Sequence, residues 1–131
     1  IYKLEIMGYT SEVHIAVPKK DEEKMDMLLT RHNLMAEDEY SYKFRKKHHT
    51  QRWKEHSHGV TTDKSKDIIL YQASSLKWYE EYQDVKDINV FIEVGEEDGR
   101  CIVCVGEDNV VHSDIGDYFD VFNVYMTVEL T

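Results

Sequence analysis

In the first third of the chain, apolar side chains recur first at the spacing of β-strands and then at the spacing of an α-helix. Apolar and polar side chains alternate in residues 1–7 and again in residues 12–17, which predicts a β-hairpin. Residues 21–33 follow with apolar side chains at helical spacing. Acids open that segment, where the positive end of a helix dipole favours them. We therefore expect two strands followed by one helix.

The middle of the chain loses both periods. Residues 40–44 alternate and suit a short strand, but the segment 45–65 is polar almost throughout. We expect this segment to be a basic, mobile insertion in a loop conformation. Loops of about 20 residues are uncommon in compact domains and are usually functional. The strand pattern resumes at residues 66–71.

The remaining residues predict a second helix and three more strands. Residues 76–85 carry large apolar side chains at helical spacing after a pair of serines that can cap a helix. Residues 88–94 and 100–105 are apolar runs joined through a glycine-flanked turn, which predicts a hairpin. Residues 118–130 alternate and predict a last strand.

These elements together predict an α+β protein. We expect one mostly antiparallel sheet of about six strands with two helices packed on one face. The length of 131 residues, with 41% hydrophobic and 32% charged side chains, fits a single globular domain over residues 1–131.

Composition also bears on the compartment. The longest apolar run, residues 101–105, is far shorter than the roughly 20 residues of a spanning helix, so we expect no membrane partner. Two cysteines form no disulfide framework, which favours a reducing compartment. We therefore expect a cytoplasmic protein of bacterial or phage origin.

The formal net charge of −10 conceals two halves of opposite sign. Residues 43–66 hold eight Lys and Arg against two acids, whereas residues 79–131 hold fourteen acids against two cations. Such segregation concerns partners and association more than the fold. It also allows self-association of oppositely charged surfaces.

The acidic half suggests a docking face for a basic protein partner, one that itself handles nucleic acid. Opposed surface potentials raise association rates, and the chain shows no catalytic motif and no cofactor fingerprint. The favoured prediction is therefore a small, non-enzymatic interaction or inhibitor protein, of the kind used by phages and by toxin–immunity systems. The residues assigned to this acidic face are Glu80, Glu81, Asp84, Asp87, Glu96, Glu97, Asp98, Asp114 and Asp117.

The basic segment suggests an alternative, the binding of nucleic acid or of a phosphorylated nucleotide. Cations contact phosphates and aromatic rings stack on bases. The acidic remainder of the chain would oppose a polyanion that came within a Debye length, about 8 Å. The residues assigned to this basic segment are Lys43, Arg45, Lys46, Lys47, Arg52, Trp53 and Lys54.

A histidine-rich stretch at residues 48–58 suggests a second alternative, a metal-dependent hydrolase. In an extended segment His56 and His58 project to the same side and could act as metal ligands. Glu55 or Asp63 would then serve as the base. Exposed surface histidines explain the same pattern without a metal.

Two further groups carry little predicted chemistry. Cys101 and Cys104 have the spacing of a redox pair, but residues three apart on a strand project to opposite faces. We therefore expect two separate buried thiols. His112, Ser113 and Asp114 resemble a nucleophilic triad in composition alone, because no motif fixes their mutual geometry.

Overall fold

A computed structural model describes residues 9–124 and 128–130, so the strand predicted at residues 1–7 lies outside the described residues. Within these residues the chain forms seven strands and two α-helices. The strands are β1 (Ser11–Pro18), β2 (Arg45–Ser57), β3 (Val60–Leu76), β4 (Cys101–Gly106), β5 (Val111–Ile115), β6 (Phe122–Val124) and β7 (Val128–Leu130). The helices are α1 (Glu22–Arg31) and α2 (Gln83–Val94), and short 3₁₀ turns occupy Lys19–Asp21, Glu96–Asp98 and Tyr118–Asp120.

Five of the strands form one sheet in the order β2-β3-β1-β4-β5, and every neighbouring pair is antiparallel. Strands β6 and β7 pair with each other in a separate two-stranded sheet. The predicted α+β class with an antiparallel sheet is confirmed. The main sheet has five strands among the described residues, where about six were expected.

The central strands are buried on both faces of the sheet. In β1, Val13, Ile15 and Val17 belong to one hydrophobic cluster and Ala16 belongs to another, as alternation along a strand requires. The first cluster includes buried side chains of both helices, namely Met25, Leu28, Leu29, Ile88 and Ile92. The second includes Cys101, Val103, Val105, Tyr118, Val121 and Phe122. The shared first cluster supports the packing of both helices on one face, which stays a prediction.

A buried ion pair ties the start of β4 to both helices. Arg100 Nε lies 3.0 Å from Asp21 Oδ2, and the two side chains are only 11% and 7% exposed. Arg100 Nη1 also donates to the backbone carbonyl of Phe91, 2.7 Å away, and the guanidinium lies over the Phe91 ring. The hydrogen bond from Arg100 holds the pKa of Asp21 below its usual value, against the opposing effect of burial.

The prediction of a strand at residues 88–94 is wrong, because this segment belongs to α2. Val85, Ile88 and Ile92 are its buried residues, and their spacing of three and four matches one helix face. The helix predicted over residues 76–85 is wrong in its start, because only residues 83–85 of that range are helical. Strand β3 continues to Leu76, which pairs with Ser11, and the helix begins only at Gln83.

The prediction of a loop at residues 45–65 is wrong as well, because β2 and β3 form a regular hairpin there. The strand expected at residues 40–44 reduces to one bridge between Met35 and Phe44. Residues 118–130 do not form a single strand: a 3₁₀ turn and two short strands occupy the described part, and residues 125–127 lie outside it. None of the described helices has the length and apolar character needed to cross a membrane.

Candidate nucleic-acid interface

The long hairpin of β2 and β3 extends well beyond the rest of the sheet. The two strands pair without a break from Arg45 opposite Gln72 to Ser57 opposite Val60. Strand β1 accompanies β3 only as far as Ile68. Residues 50–57 and 60–67 therefore form a two-stranded ribbon of eight residue pairs, which we call the arm (residues 50–67). At a rise of 3.3 Å per residue the arm is about 25 Å long.

A two-residue turn closes the arm. His58 has φ 52° and Gly59 has φ 76°, and positive φ at both central residues is the signature of a type I′ turn. This turn matches the right-handed twist of the flanking strands and fixes their register. Hydrogen bonds between side chains add to the pairing near each end, from Thr50 to Asp67 at 2.8 Å and between His56 and Thr61 at 2.9 Å.

The two faces of the arm differ in how their charges are paired. One face continues the side of the sheet that packs against α1, and the cations there have acidic or hydroxyl neighbours. Lys54 Nζ lies 3.6 Å from Asp63, and His48 Nε2 lies 3.2 Å from Asp67. The Thr50 hydroxyl, and to a lesser extent His48, lower the pKa of Asp67. This face of the arm also carries Arg52, so its cations and acids balance in number.

The opposite face, which we call the Trp53 face, carries Lys47, His49, Gln51, Trp53, Glu55, Thr62, Lys64 and Lys66. Trp53 lies directly opposite Lys64, and Gln51 lies directly opposite Lys66. Side chains directly opposite on antiparallel strands have Cβ atoms about 5 Å apart, and diagonal neighbours remain within reach of long side chains. Within the described residues no ion pair engages these three lysines.

Two other residues of that side set its limits. Glu55 lies on the same face as Trp53, two residues nearer the tip of the arm. At the base, Gln51 donates a hydrogen bond to the backbone carbonyl of Asp120. Lys64 and Lys66 thus lie between Glu55 near the tip and Asp120 at the base, whereas Lys47 lies on the body side of Gln51.

Several of the predicted basic residues make contacts within the protein or lie outside the arm. Lys46 Nζ donates hydrogen bonds to Asp26 at 2.8 Å and to Glu22 at 2.9 Å, which link β2 to α1, and the hydrogen bond to Asp26 is the main cause that raises the pKa of Lys46. Arg45 Nη2 donates to two backbone carbonyls in the preceding turn. Lys43 precedes β2 and lies outside the arm. Only Arg52, Trp53 and Lys54 of the predicted set lie in the arm, with Lys47 at its base.

Lys64 and Lys66 complete the Trp53 face but were not assigned to the site from sequence. These two lysines are far from Trp53 in the sequence. A predicted loop has no strand pairing, so it gave no reason to place them near Trp53 in space. Had the His58–Gly59 pair been read as a hairpin turn, counting outward from it would have placed Lys64 opposite Trp53. The sequence signal was therefore present at the turn.

The predicted metal ligands lie at the tip of the arm. His56 contacts Thr61, and His58 occupies the turn. Among the described residues no three His, Cys, Asp or Glu side chains converge where a metal ion could be held. The metal site thus stays a prediction without a supporting cluster.

The predicted acidic residues fall into three separate places. Glu80, Glu81 and Asp84 flank the start of α2, whereas residues 96–98 lie beyond its end. A helix of 12 residues separates these groups by about 18 Å. Asp114 belongs to the edge strand β5, which Asp117 follows. Asp87 is engaged by His32 at 2.9 Å and by Gln83 at 2.8 Å.

The remaining reactive groups do not form a site of the predicted kinds. Cys104 belongs to the cluster that contains residues of both helices and Cys101 to the other cluster, which confirms that the two thiols are buried in different places. Burial raises the pKa of both thiols to about 12. His112 Nε2 lies 3.0 Å from Asp108 and 2.7 Å from the hydroxyl of Tyr9. This arrangement involves Asp108 where the composition suggested Asp114.

Comparisons of the chain with family models, with curated proteins and with solved structures found no match. The arm and its Trp53 face therefore have to be interpreted from their own geometry and chemistry.

Proposed function

We propose that this protein binds nucleic acid through the arm. The observation that carries the proposal is the exposed two-stranded ribbon with two unpaired lysines, Lys64 and Lys66, and an exposed indole on one face, with a third unpaired lysine, Lys47, at its base. Lysines supply phosphate contacts, and an aromatic ring supplies a surface for a base.

The position of the arm answers the objection raised by the net charge of −10. Lys64 lies four residues beyond Ile68, the last residue of β3 that β1 accompanies, which is about 13 Å along the strand. Interactions over more than a Debye length of about 8 Å are largely screened at physiological ionic strength. The cations nearer the tip can therefore meet a polyanion with little repulsion from the acidic body.

A shortened arm tests the proposal. Replacement of residues 52–65 by Asn-Gly would join Gln51 to Lys66 through a two-residue turn. The Gln51–Lys66 pair lies an even number of residues from the natural closing pair Ser57–Val60, so it has the same place in the ladder. We expect wild type to bind a fluorescently labelled oligonucleotide at low salt, and the shortened protein to show no binding in the same anisotropy assay.

A matched control separates the arm from the overall charge. The deleted segment holds three cations and two acids, so the deletion changes the net charge by one unit. Lys77→Gln changes it by the same unit at the opposite end of β3, and it should leave binding unchanged. Circular dichroism would verify that each variant is folded. Failure of wild type to bind any oligonucleotide at low salt would rule the proposal out.

A second candidate is the docking of an acidic surface on a basic partner protein. The supporting observation is the group Glu80, Glu81 and Asp84 at the start of α2, which no ion pair engages within the described residues. This group is smaller than the face expected from sequence, since residues 96–98 lie at the other end of the helix. Both candidates share the proposed cytoplasmic location and bacterial or phage origin.

Charge reversal at each end of α2 tests this second candidate. Replacement of Glu80, Glu81 and Asp84 by Lys should abolish recovery of a basic nucleic-acid-handling protein from a lysate cleared of nucleic acid. The matched control is the same reversal at residues 96–98, which should leave recovery intact. Equal recovery by both triple variants would count against a docking surface at the start of the helix.

A further inference from the structure

We infer that the Trp53 face is built for single-stranded nucleic acid, with the Trp53 indole stacking on an unpaired base. This inference rests on the proposed function and names the form of nucleic acid that the arm takes. It depends on where the indole lies, what surrounds it and which polar groups its face lacks.

Trp53 lies in the middle of the ribbon and is 43% exposed. Its ring has no aromatic partner among the described residues, in contrast to Trp78, whose ring meets Phe44 edge to face. The ribbon has no hydrophobic core beneath it, so part of the apolar surface of the indole is exposed to water. This exposure is unfavourable, and a base stacked on the ring would remove it. Packing within the described residues therefore does not explain a tryptophan at this position. Its ring is available as a surface on which a base can stack.

The lysines frame this stacking surface. Lys64 lies directly across from Trp53, and Lys66 lies on the diagonal toward the body. Lys47 continues the same side of β2 at the base of the arm. A backbone that runs along the ribbon would thus meet a line of cations while its bases pass over the indole. Proteins that bind single strands combine these two elements, a cationic track and an aromatic ring.

The same face is poorly equipped for an intact duplex. Base edges in a groove are read by Arg or Lys at guanine and by Asn or Gln at adenine, so the lysines of this face could contact guanine only. Arg52 projects from the opposite face, and the Gln51 amide is bound to the carbonyl of Asp120. The base faces of a duplex are covered by their neighbours, so an indole halfway along the ribbon has no base face to stack on. A single strand presents those faces freely.

The test compares a labelled oligothymidylate with a duplex of equal length. We expect wild type to bind the single strand about tenfold more tightly or better, with quenching of indole fluorescence. Trp53→Ala should weaken single-strand binding by about 5- to 100-fold, since stacking contributes that much per base. Trp53→Phe should retain most of the affinity and lose the quenching. Tyr40→Ala, at an exposed aromatic residue outside the arm, should change nothing.

A pair of double variants tests the assignment of the face. Lys64→Gln with Lys66→Gln removes two charges from the Trp53 face, and Arg52→Gln with Lys54→Gln removes two from the opposite face. The first should weaken single-strand binding by about tenfold or more and reduce the salt slope by about 1.4, as two lost phosphate contacts require. The second should have a clearly smaller effect on both quantities.

The outcomes separate this inference from the function on which it rests. Duplex binding as tight as single-strand binding, unaffected by Trp53→Ala, would overturn the inference and leave nucleic-acid binding by the arm in place. Equal effects of the two double variants would overturn the assignment of the face. Absence of binding to both oligonucleotides would overturn the proposed function together with the inference.

Discussion

Strand β3 belongs to two different environments along its length. Residues 68–71 are buried on consecutive positions, because layers cover the sheet on both faces there. Residues 60–67 are exposed on consecutive positions, because only β2 accompanies them. The buried half holds the fold together through burial of apolar area, whereas the exposed half has only its ladder, its turn and a few cross-strand contacts.

This difference indicates that stability and binding reside in different parts of one hairpin. A residue in the body should change the free energy of unfolding and affect binding only through loss of the fold. A residue in the arm should change binding and leave the body as stable as before. Substitutions at matched positions can therefore break or sharpen the comparison, and the largest effects are expected in the body.

The largest effect is expected from loss of the buried cation. Arg100→Met leaves the Asp21 carboxylate without its partner in a site where both side chains are nearly inaccessible. Removing one member of a buried ion pair typically costs about 3–5 kcal/mol. We expect the free energy of unfolding, measured by urea denaturation, to fall by about that amount.

A double variant shows whether the cost comes from the stranded charge. Arg100→Met combined with Asp21→Leu removes both charges, and an apolar replacement of a buried pair is often neutral. We expect the double variant to recover a large part of the loss. A single variant with the wild-type unfolding midpoint would contradict the role assigned to the pair.

The next effect compares two β-branched residues of the same strand. Ile69→Ala leaves a cavity in the hydrophobic cluster that contains residues of both helices and should lower the free energy of unfolding by about 2–5 kcal/mol. Val60→Ala lies at the outer end of the arm, where the side chain is 60% exposed, and should cost less than about 0.5 kcal/mol. Similar costs at both positions, measured by urea denaturation, would show that the arm and the body unfold as one structure with shared energetics.

The body could be predicted from the sequence where burial leaves a period. Alternation in β1 and the helical spacing in α1 both reflect one covered face, and both elements were found near the expected residues. The helix α2 was missed because Ile88, Val90 and Ile92 are good strand formers. The spacing of its buried residues, which tertiary packing enforces, was the better indicator.

The arm could not be predicted in the same way. A ribbon with water on both faces has no reason to alternate apolar and polar side chains, so its sequence resembles that of a loop. Its indicators were local, namely the Thr50, Thr61 and Thr62 side chains and a turn containing Gly59. The positive charge of residues 43–66 is evident from the sequence, but the distribution of its side chains over two faces follows only from the register.

A smaller effect on the free energy of unfolding is expected when the pH is lowered, because Asp21 becomes protonated. Arg100 lowers the pKa of Asp21 in the folded protein below its ordinary value of 3.8. A carboxyl with a depressed folded pKa adds stability above its unfolded pKa and loses it as the pH falls through the folded pKa. We expect the difference in unfolding free energy between wild type and Arg100→Met to narrow as the pH falls from about 5 through 3.8 and below. A difference that stays constant with pH would contradict the assignment.

The smallest effect is expected at the tip of the arm, where it tests whether the arm opens independently. His58 adopts φ 52°, a conformation that asparagine tolerates better, and Asn-Gly is the preferred pair for this turn. We expect His58→Asn to raise the opening free energy of arm amides by less than about 1 kcal/mol, as measured by hydrogen exchange. Gly59→Ala should lower it, because φ at that position is 76°. Amides of residues 68–71 should keep their wild-type exchange rates in both variants, since the body does not depend on the turn. If the exchange rates of those amides changed together with the rates of the arm amides, the two halves of β3 would form a single cooperative unit. Binding could then not be altered at the tip without altering the fold.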